Sequence, residues 1–294
     1  MKKVLLMLLA LVLTLGVEAQ QGNGVRRASS IDDFAAKSIT TADGVLPYRE
    51  AFINAGAEGK PALVLYMHSA NGRGSDNTRQ MRQQAVYAIC NYMQQHGIKG
   101  YLLVPQCPED RYWPGYRDYE AYTEPVKQLI SLYMTEYDIA PAHVYIFGAS
   151  MGGAGTWRLI GEMSGTFSAA LIASGNYWGS DYAAVSGTPV YMTVGGAEGD
   201  IRVGRFRQLY EDLFAMGADV RFDILADLDH GATCEQSFTE ERIAWVFSHQ
   251  DNASGIKAVL REPKAETFLT LNGLRANVPR RGVVIKDGSK MMAK

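Results

Sequence analysis

Residues 143–157 read HVYIFGASMGGAGTW and predict a strand, a sharp turn and a helix in direct succession. The first five residues form an apolar run rich in β-branched and aromatic side chains, as in a buried strand. Ser150 lies in the turn, between Gly148 and Gly152, where a strained serine projects its hydroxyl above the sheet. The following helix would direct its N-terminal amides at that hydroxyl. The stretch therefore predicts a nucleophilic serine, with an ordinary glycine-rich turn as the alternative.

Apolar runs and helical patterns alternate on both sides of this turn. Strands are predicted at Pro61–Met67, Tyr101–Val104, His143–Phe147, Ala169–Ala173, Val190–Val194 and Val220–Leu225. Helices are predicted at Arg79–Gln95, Thr123–Tyr137, Met151–Met163, Gly204–Met216 and Ser237–Phe247. This alternation predicts an α/β fold, with a mostly parallel sheet covered by helices on both faces.

The composition indicates a globular protein. The chain has 294 residues, 47% of them apolar and 20% charged, which excludes a disordered or coiled-coil protein. Its net charge of -2 argues against a dedicated nucleic-acid binder. Its three cysteines form no zinc motif, and no ligand cluster indicates a metal or another cofactor. In an oxidising compartment, Cys107 and Cys234 are a candidate disulfide pair.

The N-terminal segment has the pattern of an export signal. Lys2 and Lys3 precede a mostly apolar 13-residue stretch, Val4–Gly16, and small residues for cleavage follow in Val17–Ala19. A bilayer span needs about 20 apolar residues, so no stable membrane span is expected. We therefore expect residues 1–19 to be a signal peptide and the mature protein to be secreted or periplasmic, with the cell surface as a further location.

The C-terminal segment differs from the rest in charge. Residues 251–294 carry nine Lys or Arg residues against four acidic ones, and turn-forming residues at 251–264 predict a linker. This leaves residues 20–250 as the catalytic domain. Residues 265–294 contain short β-type runs at 267–271 and 282–286, and resemble the basic C-terminal tails of many secreted bacterial proteins. That resemblance implies a role in sorting, with the secretion machinery as partner; a hairpin packed on the domain is the alternative.

A serine nucleophile on such a turn needs a base and an acid that follow it in the order Ser, Asp or Glu, His. His230 is the histidine that follows a strand downstream of Ser150, which makes it the candidate base. The acid is expected on the loop after Val190–Val194. Asp200 is the preferred candidate, and Glu198 and Asp181 remain alternatives.

Four segments in order resemble the secreted α/β-hydrolase carboxylesterases related to prolyl-oligopeptidase-like and feruloyl-type esterases. The resemblance covers roughly residues 38–249. The segments are Asp43–Arg49, Pro61–Asn77, Val104–Pro108 with Trp113, and Ile139–Trp157. Two departures from the family pattern are His68-Ser69 in place of the usual His-Gly, and one extra residue in the acid loop.

This resemblance implies an α/β-hydrolase fold with a short β-type C-terminal tail, and acyl transfer through an acyl-serine. Ser150 would attack an ester carbonyl, His230 would carry the proton, and Asp200 would orient the imidazole. Backbone amides of Met151 and of the Ser69–Ala70 region would form the oxyanion hole.

Aromatic residues concentrate in two segments near strand ends, where α/β folds place ligands. They are Tyr112, Trp113, Tyr116, Tyr119, Tyr122, Tyr177 and Trp178. With Trp113 and Trp178 as substrate-binding residues, these rings would suit a sugar or a cinnamoyl group; packing is the alternative. We expect a small-molecule or polysaccharide ester as substrate, acetylated or feruloylated. The competing hypotheses are a serine peptidase of the prolyl-oligopeptidase type and a non-catalytic binding protein on a hydrolase scaffold.

Overall fold

The computed structural model describes residues 28–140 and 142–250, together with the backbone of four short C-terminal strands. The strands are β1 Ala35–Thr41, β2 Gly44–Ile53, β3 Ala62–Met67, β4 Gly100–Pro105, β5 Arg111–Tyr112, β6 Glu120–Ala121, β7 Val144–Ala149, β8 Ala169–Ala173, β9 Val190–Gly195, β10 Val220–Leu225, β11 Phe268–Thr270, β12 Arg275–Ala276, β13 Gly282–Lys286 and β14 Ser289–Ala293. The helices are α1 Gln84–Gln95, α2 Glu124–Glu136, α3 Met151–Glu162, α4 Tyr182–Ser186, α5 Asp200–Ala215, α6 His230–Gln236 and α7 Glu240–Phe247.

The central sheet has eight strands in the order β1-β2-β4-β3-β7-β8-β9-β10. The first two strands, β1 and β2, are each antiparallel to the next, and every pairing from β4 to β10 is parallel. All six predicted strands are present within two residues of their expected bounds. The α/β class and the mostly parallel sheet are therefore confirmed.

Two hydrophobic layers enclose the sheet, one on each face. Along β3, Leu63, Leu65 and Met67 pack into one layer, and Val64 and Tyr66 pack into the other. The first layer also contains apolar side chains of α2, α3 and α5, and the second contains those of α1 and α7. Because both faces of β3 are buried, its sequence is continuously apolar rather than alternating.

Two of the predicted helices differ from those in the structure. The predicted helix Arg79–Gln95 is interrupted at Gln83, whose backbone is extended, with a 3₁₀ turn before it and α1 after it. The Gln83 side chain accepts a hydrogen bond from the Tyr66 hydroxyl at 2.5 Å and contacts Ser69. The predicted helix at Ser237–Phe247 is shorter, because α6 precedes it and α7 begins at Glu240.

The parallel strands bring the loops that follow β3, β7, β8, β9 and β10 to the same edge of the sheet. In the C-terminal segment, the strands form a separate antiparallel sheet in the order β12-β11-β13-β14, and the predicted β-type runs coincide with β11 and β13. The predicted signal peptide and linker lie outside the described residues. Across the described part of the chain, no helix is long and apolar enough to cross a membrane.

Candidate active site

Ser150 lies between β7 and α3 with a backbone φ of 53° and ψ of -114°. Its amide donates a hydrogen bond to the Ala173 carbonyl at 2.8 Å, which ties the turn to β8. The turn tolerates no side chain at Gly152, since a Cβ there would lie 1.9 Å from the Met67 carbonyl oxygen. The start of α3 therefore packs directly against the end of β3.

The sequence predicts His230 on a loop, but in the structure it is the first residue of α6. Asp229 precedes it and caps the helix by accepting a hydrogen bond from the Ala232 amide at 2.8 Å. This cap holds the imidazole with its Nε2 atom 2.7 Å from Ser150 Oγ. The serine and the histidine named from the sequence are thus brought together.

The acid beside His230 is Glu198, which differs from the prediction of Asp200. Glu198 Oε2 lies 2.6 Å from His230 Nδ1, and the Glu198 side chain is only 1% exposed. Residues 196–198 form a 3₁₀ turn after β9, which turns Glu198 back over the strand end. Gly199, with a φ of 92°, then leads into α5, whose first residue is the exposed Asp200. Asp181, the third candidate, caps α4 through the Ala184 amide.

Three further groups hold the Glu198 carboxylate. It accepts hydrogen bonds from the Gly195 amide at 2.7 Å, from Arg202 Nε at 2.7 Å and from the Ser174 hydroxyl at 2.6 Å. Burial alone would raise the carboxyl pKa, but the hydrogen bonds from His230, Ser174 and Gly195 and the charge of Arg202 outweigh it and lower the pKa to about 2. The carboxylate therefore accepts the His230 Nδ1 proton, which leaves Nε2 free to accept the Ser150 proton.

Ser174 and Arg202 are site residues that the sequence reasoning missed. Ser174 follows β8 with a φ of 47°, and its Oγ also lies 2.9 Å from His230 Nδ1. Arg202 Nη2 donates a hydrogen bond to the Ser174 carbonyl oxygen at 2.6 Å, so each residue helps to fix the position of the other. The one signal for Arg202 in the sequence is its position four residues after Glu198, since this spacing places both side chains on one face of a helical turn.

The ionisation of Glu198 predicts a pH dependence of stability. Because folding lowers its pKa from 4.5 to about 2, the carboxylate stabilises the fold above pH 4.5, and this contribution is lost as the pH falls through about 2. We expect the free energy of unfolding of the wild type to fall more than that of Glu198→Gln between about pH 5 and about pH 3. Urea denaturation at both pH values measures this. Glu211→Gln, an exposed substitution on α5, is the control; equal slopes for wild type and Glu198→Gln would contradict the expectation.

The predicted oxyanion amides belong to the start of α3 and to the loop after β3. Met151 begins α3, where the first amides have no partner within the helix. Ser69 has an extended backbone (φ of -70°), so the absence of glycine there causes no strain, and Ala70 begins a 3₁₀ turn. The Ser69 amide donates to Gln83 Oε1 at 3.3 Å. Of the three predicted donors, Met151 lines the cleft that contains Ser150, and the Ser69 amide is already engaged by Gln83.

Buried His68 supports the Ser69–Ala70 loop. Its Nε2 accepts a hydrogen bond from the Cys107 amide at 3.0 Å, and its Nδ1 donates to the Ser69 carbonyl oxygen at 2.6 Å. Burial lowers the pKa of His68 to about 4, so the ring is neutral near pH 7. Trp113 Nε1 donates to the His68 carbonyl oxygen at 3.1 Å. Trp113 is 0% exposed and does not line the cleft that contains Ser150, so it is a core residue behind this loop, in contrast to its predicted role in substrate binding.

Trp178, by contrast, lines the cleft above Ser150. The cleft has a volume of about 410 Å³, and its lining includes Tyr112, Tyr116, Ser150, Met151, Ser174, Trp178, Arg202, Arg205 and His230. The Trp178 side chain is 48% exposed and stacks on Tyr116 with ring centroids 5.2 Å apart. An open aromatic surface thus lies next to the serine and the histidine.

The two predicted substrate tryptophans should respond differently to truncation. Trp113→Ala removes a fully buried ring and should lower the free energy of unfolding by about 3–5 kcal/mol. Trp178→Ala should change stability by less than about 1 kcal/mol, because its ring is half exposed. Urea denaturation of both variants measures the two effects. A loss of stability in Trp178→Ala comparable to that in Trp113→Ala would contradict this assignment.

The cysteines differ from the predicted pairing. Cys90, Cys107 and Cys234 are all free thiols, and Cys107 and Cys90 are buried in separate layers. Cys234 Sγ lies 4.0 Å from His230 Nε2, on the next turn of α6. Over residues 28–140 and 142–250, no group of three or more His, Cys, Asp and Glu side chains could hold a metal ion.

Comparison with known proteins identifies the fold. No protein-family model and no curated protein sequence matches the chain. Among solved structures, a thermostable esterase is 26% identical with a TM-score of 0.66, over 74% of this chain and 63% of that one. The chain thus spans less than two thirds of that esterase's length.

Two more distant structures agree in fold. A ferulic acid esterase is 14% identical with a TM-score of 0.57, over 74% of this chain and 97% of that one. The S-formylglutathione hydrolase FrmB from Staphylococcus aureus is 15% identical with a TM-score of 0.54, over 72% of this chain and 98% of that one. The chain therefore has the α/β-hydrolase fold, which it shares with these solved esterases and hydrolases.

Proposed function

We propose that the protein is a secreted serine carboxylesterase that acts through an acyl-serine intermediate. The observation that carries the proposal is the continuous hydrogen-bonded chain from Ser150 Oγ through His230 to the buried Glu198 carboxylate. This is the arrangement that serine acyl transfer requires, since the hydroxyl needs a base and the base needs an orienting acid.

In the first step, Ser150 Oγ would bond to the ester carbonyl carbon as His230 Nε2 takes its proton. The ester C–O bond then breaks, and His230 gives that proton to the leaving alcohol. In the second step, His230 takes a proton from water, the resulting hydroxide attacks the acyl carbon, and the released Ser150 Oγ is reprotonated. Glu198 stays ionised throughout and stabilises the imidazolium. The Met151 and Ala70 amides would hold the oxyanion, each contributing about 3 kcal/mol to lowering the barrier.

We propose acetyl or feruloyl and cinnamoyl esters on polysaccharide as the substrate class. Support comes from the open aromatic surface of Trp178 and Tyr116 beside Ser150, since flat rings stack on sugars and on cinnamoyl groups. The solved ferulic acid esterase shares the fold. Export is supported by the charge and hydropathy pattern of residues 1–19.

The experiment is hydrolysis of a substrate panel by the mature protein from residue 20. The panel contains a short acetyl ester, methyl cinnamate, acetylated xylan, feruloylated xylan and a proline-containing peptide amide. Serine-dependent release from cinnamate or the xylans supports the proposal. Cleavage of the peptide amide alone would indicate a peptidase, and a folded protein inactive on all of them would indicate a binding protein. Expression in a bacterial host with mass analysis of the exported chain tests cleavage after Ala19.

A further inference from the structure

Arg205 lies at the junction of two cavities. It lines the cleft that contains Ser150 and His230, and it also lines a neighbouring hollow of about 230 Å³. Asn176 and Trp178 are the other residues that the two cavities share. A substrate whose ester bond lies at Ser150 and whose body extends past Trp178 would therefore pass Arg205.

The charge balance around this junction is positive. The other arginine of the cleft, Arg202, is already paired with Glu198. Arg205 is exposed, and within the described part of the chain no hydrogen bond or ion pair involves it. Among the described residues that line the two cavities, none is Asp or Glu. Elsewhere on the surface, Arg111 and Arg158 are each paired with a glutamate.

We propose that Arg205 binds a carboxylate on the substrate, which makes the enzyme selective for esters whose ring carries a negative charge. This inference rests on the proposed esterase function and specifies its substrate. A guanidinium donates two parallel hydrogen bonds to a carboxylate, and Trp178 offers a stacking surface for the ring that bears it. The carboxylate could belong to an aromatic acid or to a uronic acid unit of a polysaccharide, because both present the same group on a ring.

The test compares 3-acetoxybenzoate with 3-acetoxybenzamide, which differ in charge but share the acyl group and the ring. After correction for the rate of each ester with hydroxide, we expect kcat/KM to be about tenfold higher for the anionic ester. Arg205→Gln should remove this preference by lowering kcat/KM for the anionic ester alone, and Arg205→Lys should restore part of it. Raising the NaCl concentration from about 0.05 M to about 0.5 M should weaken the preference in the wild type.

Arg207→Gln is the matched control, because Arg207 is an exposed arginine of the same helix that lines neither cavity. Equal kcat/KM values for the two esters, or equal effects of Arg205→Gln and Arg207→Gln, would overturn the proposal. An acetylated oligogalacturonide and its carboxyl-reduced form separate the two sources. A higher kcat/KM for the oligogalacturonide than for its reduced form indicates uronic acids. A preference seen only between 3-acetoxybenzoate and 3-acetoxybenzamide indicates aromatic acids.

A binding measurement keeps this inference separate from the proposed catalysis. With Ser150→Ala as the background, calorimetry should show 3-acetoxybenzoate binding about tenfold more tightly than the benzamide, and Arg205→Gln should abolish the difference. If the charge preference in binding is present but no ester is hydrolysed, the esterase proposal fails and the anion site stands. If neutral esters are hydrolysed by Ser150 without any charge preference, the esterase proposal stands and Arg205 has no such role.

Discussion

Ser150→Ala should lower kcat/KM for a short acetyl ester by at least about a thousandfold while the protein remains folded. The Ser150 hydroxyl lies 2.7 Å from His230 Nε2, so its removal takes away the nucleophile that this base would activate. Alanine has the same backbone preferences as serine at this turn, so stability should change little. Initial rates with the purified variant, together with circular dichroism, measure both effects.

Ser186→Ala is a suitable control, because Ser186 is a serine of α4 whose hydroxyl bonds only to the local backbone. It should retain wild-type turnover. If Ser150→Ala instead keeps full activity, the nucleophile lies elsewhere and the proposed mechanism is wrong. A wild type that is itself inactive on every ester, and folded, would favour a binding role for the cleft.

Glu198→Gln should lower kcat by about a thousandfold or more, and Asp200→Asn should change it less than about threefold. The buried Glu198 carboxylate contacts His230 Nδ1, whereas Asp200 is exposed at the first turn of α5. The side-chain amide introduced by Glu198→Gln can present its NH₂ group to Nδ1, which favours the tautomer with the proton on Nε2 and so blocks the base. Steady-state kinetics of both variants on the same ester provide the comparison.

Glu198→Asp distinguishes loss of charge from loss of position. It keeps the negative charge but is one methylene shorter, so it should retain more activity than Glu198→Gln and less than the wild type. If Asp200→Asn lowers kcat more than Glu198→Gln does, then Asp200 is the acid and the assignment of Glu198 is wrong.

The central sheet was predictable because its signals are local. Strands such as β3 and β7 are buried on both faces, so they appear as short continuous apolar runs. The β1 strand was missed because it lies at the sheet edge and carries no buried residue. Ser150 was found for the same reason as the strands, since glycines on both sides of the turn are a sequence signal.

The remaining site residues depend on contacts that are distant in sequence. The acid is Glu198, two residues before the expected Asp200, and only the 3₁₀ turn of the folded loop reveals this. Trp113 and Trp178 have the same chemistry, and their exposed fractions of 0% and 48% separate a core residue from a cleft residue. Ser174 follows an ordinary buried strand, and its role depends on the neighbouring strand β9.

The backbone of Ser150 has a consequence for the evolution and engineering of this protein. Its φ of 53° and ψ of -114° suit glycine, and a side chain there costs about 1–3 kcal/mol. Ser150→Gly should therefore be inactive and yet melt at a higher temperature than Ser150→Ala. A selection for thermal tolerance alone would favour loss of the nucleophile, so a heat-stable variant library of this chain must be screened for turnover at every round.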